Sequence, residues 1–361
     1  MDKLFLLDAY ALIYRAYYAF IKNPRINSKG FNTSAIMGFI NTLEDVLKKE
    51  NPTHIGIAFD PKGPTFRHEA FEQYKAQREE TPEVIRESVP VIKEFIKAYN
   101  IPIFEVPGYE ADDVIGTLAK QAEKKGIITY MMTPDKDYGQ LVSDTTFIYR
   151  PKYGDKEFEV MGVERVKEKF GIETTGQVID LLGLMGDSSD NIPGCPGVGE
   201  KTAQKLIAQF GSIENMLANT DELKGALKTK VEENREQILF SKFLATIKTD
   251  VPVELDLDSL KREIPNEDEL SRLFSFYELR ALKERVIKTQ QAPSLFDEAP
   301  SVAATVSTSS KKSAKHDPLQ GSLFDFFTAE DTGGEKKSSH LTLKDTLHIY
   351  KLIETEEDIT C

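Results

Sequence analysis

The strongest constraint on the fold is an alternation of short apolar runs with longer segments in which apolar residues recur at helical spacing. The apolar runs predict strands at residues 4–7, 55–59, 101–106 and 127–132. The segments between them predict helices at residues 34–49, 83–99 and 110–125. This order is typical of an α/β fold with a mainly parallel central sheet flanked by helices.

The composition of the chain divides it into further parts. Residues 1–170 form the predicted α/β core, and residues 171–288 predict a mostly helical subdomain with loops rich in Gly and Pro. After about Thr289 the sequence is rich in Ser, Thr, Ala, Lys, Pro and Gly, and so few large apolar groups cannot offset the entropy of ordering. We therefore predict a disordered linker at 289–340, followed by a short apolar segment at 341–361.

The charge balance limits how the chain can bind nucleic acid. Its 361 residues carry a formal net charge of −13, so the average field repels phosphate. Any DNA binding must come from local basic patches or bound cations. Two cysteines, Cys195 and Cys361, give no disulfide framework and no metal-ligand spacing. The first apolar run ends at Asp8, too short for a signal peptide or a membrane span, so we expect a cytoplasmic monomer.

Acidic residues follow three of the predicted strands. Asp8 and Asp60 each come directly after one strand, and Asp135 with Asp137 comes after a third. Ligands of open parallel sheets bind beyond the carboxyl ends of the strands, so these side chains are expected to converge there. Each acid taken singly is more typical of a helix cap or a turn.

Two further acidic clusters favour a metal site. The first, Glu110-Ala111-Asp112-Asp113, opens a predicted helix, and the second, Asp187-Ser188-Ser189-Asp190, ends an apolar run and would face one point if helical. Stabilisation of a helix N-terminus is the alternative for the first cluster. Carboxylates about 4 Å apart repel by roughly 4 kcal/mol per pair at an intermediate dielectric, so such a cluster should protonate or bind cations. Oxygen ligands favour Mg²⁺ or Mn²⁺.

A basic and aromatic segment follows the strand that ends near Asp60. Its residues are Lys62, Phe66, Arg67, Phe71, Tyr74, Lys75, Arg78 and Arg86. Basic groups can hold a phosphate while aromatic rings stack on unpaired bases. The alternative is a solvated loop whose cations pair with Glu69, Glu72, Glu79 and Glu80.

The glycine-rich stretch from Gly194 to Thr202 suggests a phosphate-binding loop. It fails the register of a P-loop, because Glu200 stands where that motif needs lysine and no strand precedes it. What remains is a tight hairpin at Gly197 and Gly199 leading into a helix from Lys201 to Phe210. Free amides there suit a backbone phosphate, and a plain helix–helix turn is the alternative.

Four motifs together resemble the 5′ nuclease domain of bacterial DNA polymerase I, a member of the flap endonuclease family. They are Gly183 to Gly194 with the hairpin after it, Gly108 to Asp113, Thr133 to Asp137, and Tyr74 to Arg78. The resemblance runs from about Lys3 to Lys288. It implies a PIN-like or resolvase-like 5′ nuclease fold, a basic arch at about 62–86, and a DNA-binding subdomain of the helix-hairpin-helix type.

The same resemblance implies roles for individual residues. Two ions of Mg²⁺ or Mn²⁺ are expected at Asp8, Asp60, Glu110, Asp112, Asp113, Asp135, Asp137, Asp187 and Asp190, the first four holding one ion and the others the second. Lys75 and Arg78 are expected at the scissile phosphate, so that the catalytic set is Lys75, Arg78, Asp8, Asp60 and Asp112. The expected DNA contacts are Arg67, Tyr74, Lys75, Arg78, Gly197, Gly199, Lys201 and Thr202, with K⁺ at the hairpin.

The implied activity is that of a structure-specific 5′ nuclease, both 5′-3′ exonuclease and flap endonuclease, in DNA replication and repair. Its partners would be DNA with 5′ ends or flaps and RNA–DNA primer junctions. A DNA-junction binding module that does not cut is one rival, for which the hairpin and the basic segment would suffice. A small-molecule phosphohydrolase on a similar sheet is another.

The last part of the chain carries two weaker signals. Leu347 to Ile353 looks like the first strand of the proofreading-like domain that follows in the family, so residues 341–361 are expected to be its truncated start. We expect no polymerase activity from this chain, although a full-length version would carry a polymerase domain. Gln320, Leu323 and Phe324 resemble a peptide that binds the bacterial sliding clamp, but the repeat of Ser-Leu-Phe-Asp at 294–297 and 322–325 offers an accidental origin.

Overall fold

A six-stranded sheet is the centre of the fold in a computed structural model that describes residues 2–151 and 158–290. Its strands are β1 (Lys3–Asp8), β2 (His54–Ala58), β3 (Ile103–Phe104), β4 (Ile128–Met132), β5 (Thr146–Pro151) and β6 (Phe158–Met161). Their order is β3-β2-β1-β4-β5-β6, and all neighbours run parallel except β5 and β6. The predicted fold class is confirmed. The predicted linker, the segment at 341–361 and the clamp-like peptide lie outside the described residues.

Helices cover both faces of the sheet, and loops join these elements. In the first part they are α1 (Ala9–Phe20), α2 (Ser34–Lys49), α3 (Phe66–Ala70), α4 (Glu83–Ala98) and α5 (Ala111–Lys124). After the sheet come α6 (Val163–Phe170), α7 (Gln177–Met185), α8 (Glu200–Phe210), α9 (Ile213–Ala218), α10 (Gly225–Glu233), α11 (Arg235–Ala245), α12 (Leu257–Leu260), α13 (Glu267–Phe276) and α14 (Arg280–Gln290). Short 3-10 helices cover Asp137–Leu141 and Thr220–Glu222.

The alternation of side chains along β1 separates two hydrophobic cores. Leu4 and Leu6 point to one face, where they join a core with α5 and the helices that follow the sheet. Phe5 and Leu7 point to the other face and join a core with α1, α2 and α4. All four side chains are at most 1% exposed, so β1 is buried on both faces. This burial fixes the place where the strand ends, at Asp8.

The last two helices return to the sheet. Leu270 and Phe274 of α13, with Leu282 of α14, are buried in the same core as Phe5 and Leu7. The segment from 171 to 288 is therefore not packed as a separate helical body over its whole length. The division at residues 170 and 171 stays a prediction.

The sequence pattern located most elements and missed others. The four predicted strands are present, although β3 is reduced to Ile103–Phe104, and α2 has the predicted bounds. Helix α1 was missed because it follows β1 with no turn residue between them. Within residues 2–151 and 158–290, no helix combines the length and the apolar character needed to cross a bilayer.

Candidate active site

The candidate site lies where the order of the strands reverses. From β1 the sheet continues through β2 and β3 on one side and through β4 and β5 on the other, and this reversal opens a crevice at the carboxyl ends of the strands. Asp8 is the last residue of β1, and Asp60 lies just beyond β2. Asp60 Oδ1 accepts a hydrogen bond of 2.7 Å from the Ala111 amide at the start of α5. The exit of β2 and the start of α5 therefore meet at this edge.

Asp8 is held by three hydrogen bonds and has an altered acidity. Its Oδ1 accepts from the Ala11 amide at 3.1 Å, capping α1, and its Oδ2 accepts from the hydroxyls of Thr133 and Tyr138 at 3.3 Å each. Burial, followed by repulsion from Asp60, raises the pKa of Asp8 to about 7. Sequence reasoning missed Thr133 and Tyr138 as partners of Asp8, although Thr133 opens one of the recognised motifs.

Three acids at the start of α5 come close together. One carboxylate oxygen from each of Glu110, Asp112 and Asp113 lies within 4.8 Å of the others. Asp112 accepts one hydrogen bond, of 2.7 Å from the Asp113 amide, and burial together with the neighbouring Asp113 raises the pKa of Asp112 well above its usual value. Asp113 is fully buried.

Glu110 has the opposite electrostatic environment. Its Oε1 accepts from Lys75 Nζ at 2.7 Å, and its Oε2 accepts from Arg67 Nη1 at 3.1 Å and from the Tyr74 hydroxyl at 3.0 Å. Burial disfavours its ionised form, but Lys75 and Arg67 outweigh that effect and lower the pKa of Glu110. This carboxylate is therefore charged and fixed in position.

The acids after β4 form the far side of the site. Asp135 Oδ1 accepts from the Asp137 amide at 2.9 Å, whereas Asp137 Oδ1 is buried without a hydrogen-bond partner among the described residues. Burial and the charges of Asp135 and Asp187 raise the pKa of Asp137 well above its usual value. Asp187 Oδ2 lies 3.1 Å from Lys136 Nζ; burial opposes ionisation there, but Lys136 outweighs it and the pKa of Asp187 is lowered.

The loop that carries Asp187 and Asp190 is not helical, so the condition under which helical spacing would make them face one point is not met. An antiparallel bridge joins Asp187 to Ile192 through two backbone hydrogen bonds, of 2.9 and 2.8 Å. Helix α7 ends before it, at Met185. A tight loop, not helical spacing, therefore presents these two acids to the site.

Lys75 and Arg78 lie over this loop, next to the carboxylates. The Lys75 amide donates to the Asp190 carbonyl at 3.0 Å, and Lys75 Nζ lies 3.8 Å from Asp190 Oδ2. Arg78 donates from Nε to the Ser189 carbonyl at 3.1 Å and pairs with the Asp190 carboxylate. Lys75 adopts a positive φ of 56°, an uncommon conformation for a residue with a side chain. Both cations lie beside the carboxylates, and their contact with the scissile phosphate stays a prediction.

Arg67 and Tyr74 are buried among the acids of the site. Arg67 is 1% exposed and donates to Glu110, Asp113 and two backbone carbonyls. Tyr74 is 3% exposed, and its hydroxyl donates to Glu110 and Asp190. Neither side chain is open to solvent, and the predicted contacts of Arg67 and Tyr74 with DNA stay predictions. In this structure both residues contact carboxylates.

The glycine hairpin is carried by α7, α8 and α11. Gly197 has a φ of 76°, and Gly199 caps α8, on which Lys201 is exposed and Thr202 partly exposed. Ser241 Oγ accepts from the Gly194 amide at 2.9 Å, and Gln237 donates to the Gly194 carbonyl at 2.8 Å. The element before the hairpin is helix α7, so the P-loop is excluded by structure as well as by register.

Sequence reasoning missed one cation at the hairpin. A Cβ at Gly197 would lie 2.5 Å from Lys230 Nζ, so this ammonium group lies against the turn. Lys230 belongs to α10, far from the hairpin in sequence, and its exposed position among other lysines gave no signal.

Comparisons with known proteins give a consistent result. A family model described as 5′-3′ exonuclease, N-terminal resolvase-like domain, matches residues 3–171, and one described as 5′-3′ exonuclease, C-terminal SAM fold, matches residues 173–268. Among curated relatives, DNA polymerase I of Bacillus subtilis (strain 168) is 46% identical over 286 residues, covering 79% of this chain and 32% of that protein. A 5′-3′ exonuclease of Aquifex aeolicus (strain VF5) is 38% identical over 288 residues, covering 80% of this chain and 96% of that protein.

The chain therefore spans about a third of the length of the DNA polymerase I relatives it matches. Among solved structures, the T5 D15 protein co-crystallized with metal ions has a TM-score of 0.58 at 18% identity, covering 78% of this chain and 100% of that chain. The catalytic core of Rad2 in complex with DNA substrate has a TM-score of 0.55 at 19% identity, covering 80% of this chain and 91% of that chain. These two likenesses concern the fold.

Proposed function

The chain belongs to the 5′-3′ exonuclease family, and from that premise we propose that it is a divalent-metal-dependent 5′ nuclease that cuts DNA as an exonuclease and a flap endonuclease. The main support for this proposal is the set of carboxylates at the edge of the sheet where the order of the strands reverses. Several of these carboxylates have raised pKa values. Crowded acids of this kind are costly unless a cation compensates them.

The residues present fit divalent metal ions. Asp137 Oδ1 is a buried carboxylate oxygen with no described partner, and all the candidate donors are oxygens, which suits Mg²⁺ or Mn²⁺. Asp8, Asp60, Glu110 and Asp112 would hold one ion, and Asp135, Asp137, Asp187 and Asp190 the other. Bound ions would supply activation of water and stabilisation of the leaving oxygen.

The remaining residues of the site orient the substrate. Lys75 Nζ and the Arg78 guanidinium are the cations nearest the acids, so they would hold the scissile phosphate in line with the carboxylates. Thr133 and Tyr138 fix the orientation of Asp8, and Tyr74 fixes Glu110 relative to Asp190. These contacts keep the carboxylates preorganised for charge that develops during cleavage.

Duplex binding is assigned to the hairpin, at a distance along the chain from the acids. The backbone at Gly197 and Gly199, with Lys201 and Thr202, would contact the phosphate backbone, and a K⁺ ion at the turn would add to the attraction. The proposed substrates are DNA with 5′ ends or flaps and RNA–DNA primer junctions, in replication and repair. Solved neighbours include the T5 D15 flap endonuclease with DNA and metal ions and the Rad2 core with a DNA substrate.

Three proposals concern the setting of the activity. We expect a monomer in the cytoplasm. A full-length version would join this chain to a polymerase domain, in keeping with the DNA polymerase I relatives. Binding of a sliding clamp through Gln320, Leu323 and Phe324 stays a prediction, because these residues lie outside the described part of the chain.

A flap substrate tests the proposed activity. The protein is incubated with a 5′-labelled flap duplex, with and without Mg²⁺, and the products are sized; we expect metal-dependent products with 5′-phosphate and 3′-hydroxyl ends. Binding without cutting would favour the non-cutting junction module. Turnover of a generic phosphate ester in place of the flap would favour the small-molecule phosphohydrolase. Full cleavage in excess chelator would remove the metal from the proposal.

A further inference from the structure

Arg67 has no hydrogen-bond donor left for a substrate. A guanidinium carries five N–H donors. Here Nε donates to the Leu244 carbonyl at 2.9 Å, Nη1 donates to Glu110 at 3.1 Å and to Asp113 at 2.8 Å, and Nη2 donates to Asp113 and to the Thr246 carbonyl at 2.8 Å each. All five donors are therefore used inside the protein.

Asp113 has no free hydrogen-bond acceptor position on its carboxylate. A carboxylate offers four acceptor positions on its two oxygens. Oδ1 accepts from Arg67 Nη2 and from the Lys248 amide at 2.8 Å each, and Oδ2 accepts from Arg67 Nη1 at 2.8 Å and from the Glu110 amide at 3.1 Å. Four N–H groups thus occupy the four positions, and the side chain is 0% exposed.

The neighbouring acids, unlike Asp113, keep acceptor positions that no hydrogen-bond donor occupies in the described part of the chain. Asp112, one residue earlier, accepts a single hydrogen bond from an amide, and Asp137 keeps one buried oxygen without a described partner. Closeness to Glu110 and Asp112 places Asp113 in the acidic cluster, but its lone pairs are directed at Arg67 and two backbone amides. A metal ion would have to displace one of these donors to bind Asp113.

We propose that Arg67 and Asp113 form a positioning pair that holds Glu110 as a metal ligand, and that Asp113 is not itself a ligand. This inference rests on the proposed function. Arg67 bonds to Glu110 directly, while Asp113 accepts from the Glu110 amide and so fixes its main chain. Together they fix both the side chain and the backbone of the same residue.

The pair also ties the acids to the helix that carries the hairpin. Leu244 belongs to α11, and Thr246 and Lys248 follow it. The same helix holds Gly194 through Ser241 and Gln237. A continuous set of hydrogen bonds therefore runs from the hairpin, through α11 and Arg67, to Glu110.

Metal binding measured without turnover tests the proposal. Mn²⁺ is titrated calorimetrically into the wild-type protein, Asp113→Asn, Arg67→Lys, the double variant, and Asp112→Asn as the ligand comparison. Asp113→Asn should keep the wild-type number of bound ions with affinity about tenfold weaker, as for other groups that orient a ligand. Asp112→Asn should bind one ion fewer. Because the pair acts as one unit, the double variant should be no weaker than the weaker single variant.

Cleavage kinetics supply a second readout. For Asp113→Asn the Mn²⁺ concentration at half-maximal rate should rise about tenfold while kcat at saturating Mn²⁺ stays near that of the wild type. Thermal unfolding and duplex binding in excess chelator check that each variant is folded. If Arg67→Lys does not fold, Asp113→Asn alone decides the question, since it preserves the shape of the side chain.

Two results would overturn the positioning pair. Loss of one bound ion in Asp113→Asn, as in Asp112→Asn, would make Asp113 a direct ligand. Unchanged Mn²⁺ affinity in a folded Asp113→Asn would leave the pair with a packing role only. A wild-type protein that binds Mn²⁺ but does not cut the flap would instead overturn the proposed function, and is distinguishable from both.

Discussion

The acidic site and the glycine hairpin differ in the charge that they present: the site presents crowded carboxylates, and the hairpin presents backbone groups and lysines. At the site, side chains from β1, β2, β4, α5 and the loop after α7 crowd like charges together, and burial raises the pKa values of Asp8, Asp112 and Asp137. At the hairpin the proposed phosphate contacts come from the backbone, with Lys201 exposed and Lys230 against the turn. The proposed function therefore assigns chemistry and duplex binding to different parts of the chain, and we expect that each can be removed without the other.

The largest effect is expected from loss of an acid with spare lone pairs. Asp112→Asn should lower kcat about 10⁴-fold, roughly 5 kcal/mol of transition-state stabilisation, because the ion it holds contributes several kcal/mol. Duplex binding in Ca²⁺ should stay within about twofold, because the hairpin is intact. Single-turnover cleavage and a binding titration measure the two quantities.

Asp180→Asn is a matched control for Asp112→Asn. Asp180 is a buried acid, whereas Asp112 is half-buried. Asp180 accepts from the Ile213 amide and pairs with Lys242, away from the strand ends. Its loss should lower the thermal stability and leave the metal dependence of cleavage unchanged. Equal loss of cleavage in the two variants would show that burial of an acid, and not its place at the site, explains the effect.

The next effect is a dependence of stability on pH that arises at the site. Asp8 has a pKa of about 7 in the folded chain against an ordinary value of 3.8, so between these pH values the folded state holds a proton that the unfolded state has lost. Without metal, the free energy of unfolding should therefore fall as the pH rises through this window, by up to about 4 kcal/mol for Asp8, and level off above it. Chemical denaturation at a series of pH values measures the slope.

Two comparisons isolate the Asp8 contribution. Asp8→Asn should reduce the slope between about pH 4 and 7 and leave the part that Asp112 and Asp137 contribute through their own raised pKa values. Saturating Mg²⁺ should flatten the slope in the wild type, since the ions bind ionised carboxylates. Glu110 and Asp187 have lowered pKa values, so they contribute the opposite slope, and only below their ordinary values of 4.5 and 3.8. A slope in Asp8→Asn equal to that of the wild type would contradict the assignment.

Lys75→Ala tests the cation that we propose holds the scissile phosphate beside the acids. Its ammonium contacts Glu110 at 2.7 Å, so its loss should lower kcat about 100-fold, near 3 kcal/mol, while the duplex dissociation constant changes little. Lys49→Ala, an exposed lysine on α2 paired with Asp45, serves as the control and should change neither quantity. A fall in duplex affinity as large as the fall in rate would assign Lys75 to binding.

The smallest effect belongs to the hairpin. Lys201→Ala should weaken duplex binding and reduce the slope of log affinity against log salt by about 0.9, the value for one phosphate contact. Lys205, exposed one turn further along α8, is the matched control and should keep the full slope. Filter binding at four salt concentrations measures both. If Lys201→Ala keeps the wild-type slope of log affinity against log salt, the proposed contact between Lys201 and a phosphate is contradicted.

The position of the site could be predicted because it depends on local signals. Strand ends followed by Asp8, Asp60 and Asp135 can be read from short windows, and a parallel sheet brings such ends to one edge. The convergence of these residues with α5 then follows from the order of the strands.

The states of individual side chains could not be predicted in the same way. Arg67 stands in a run of mixed charges whose other charged members are exposed, apart from the half-buried Lys75, so nothing local marks Arg67 as buried. Its partners Asp113 and Leu244 are 46 and 177 residues away in sequence. The burial of Tyr74 was not predicted for the same reason, since its aromatic ring suggested stacking on bases and only tertiary packing places it against Glu110. Whether all hydrogen-bond donors of Arg67 and all acceptor positions of Asp113 are occupied depends on residues distant in sequence, so it can be known only from the folded chain.

The long-range bond between Asp113 and the Lys248 amide has a consequence for synthesis of the chain. These residues are 135 positions apart, so at about 5–20 residues per second the ribosome needs on the order of ten seconds to add the second after the first. Helix α5 and strand β4 are completed during this interval, while Arg67 and Asp113 still lack their partners at the end of α11 and just after it. A nascent chain therefore cannot complete the hydrogen bonds of Arg67 and Asp113 until α11 has emerged, by which time the glycine hairpin, earlier in the chain, is also present.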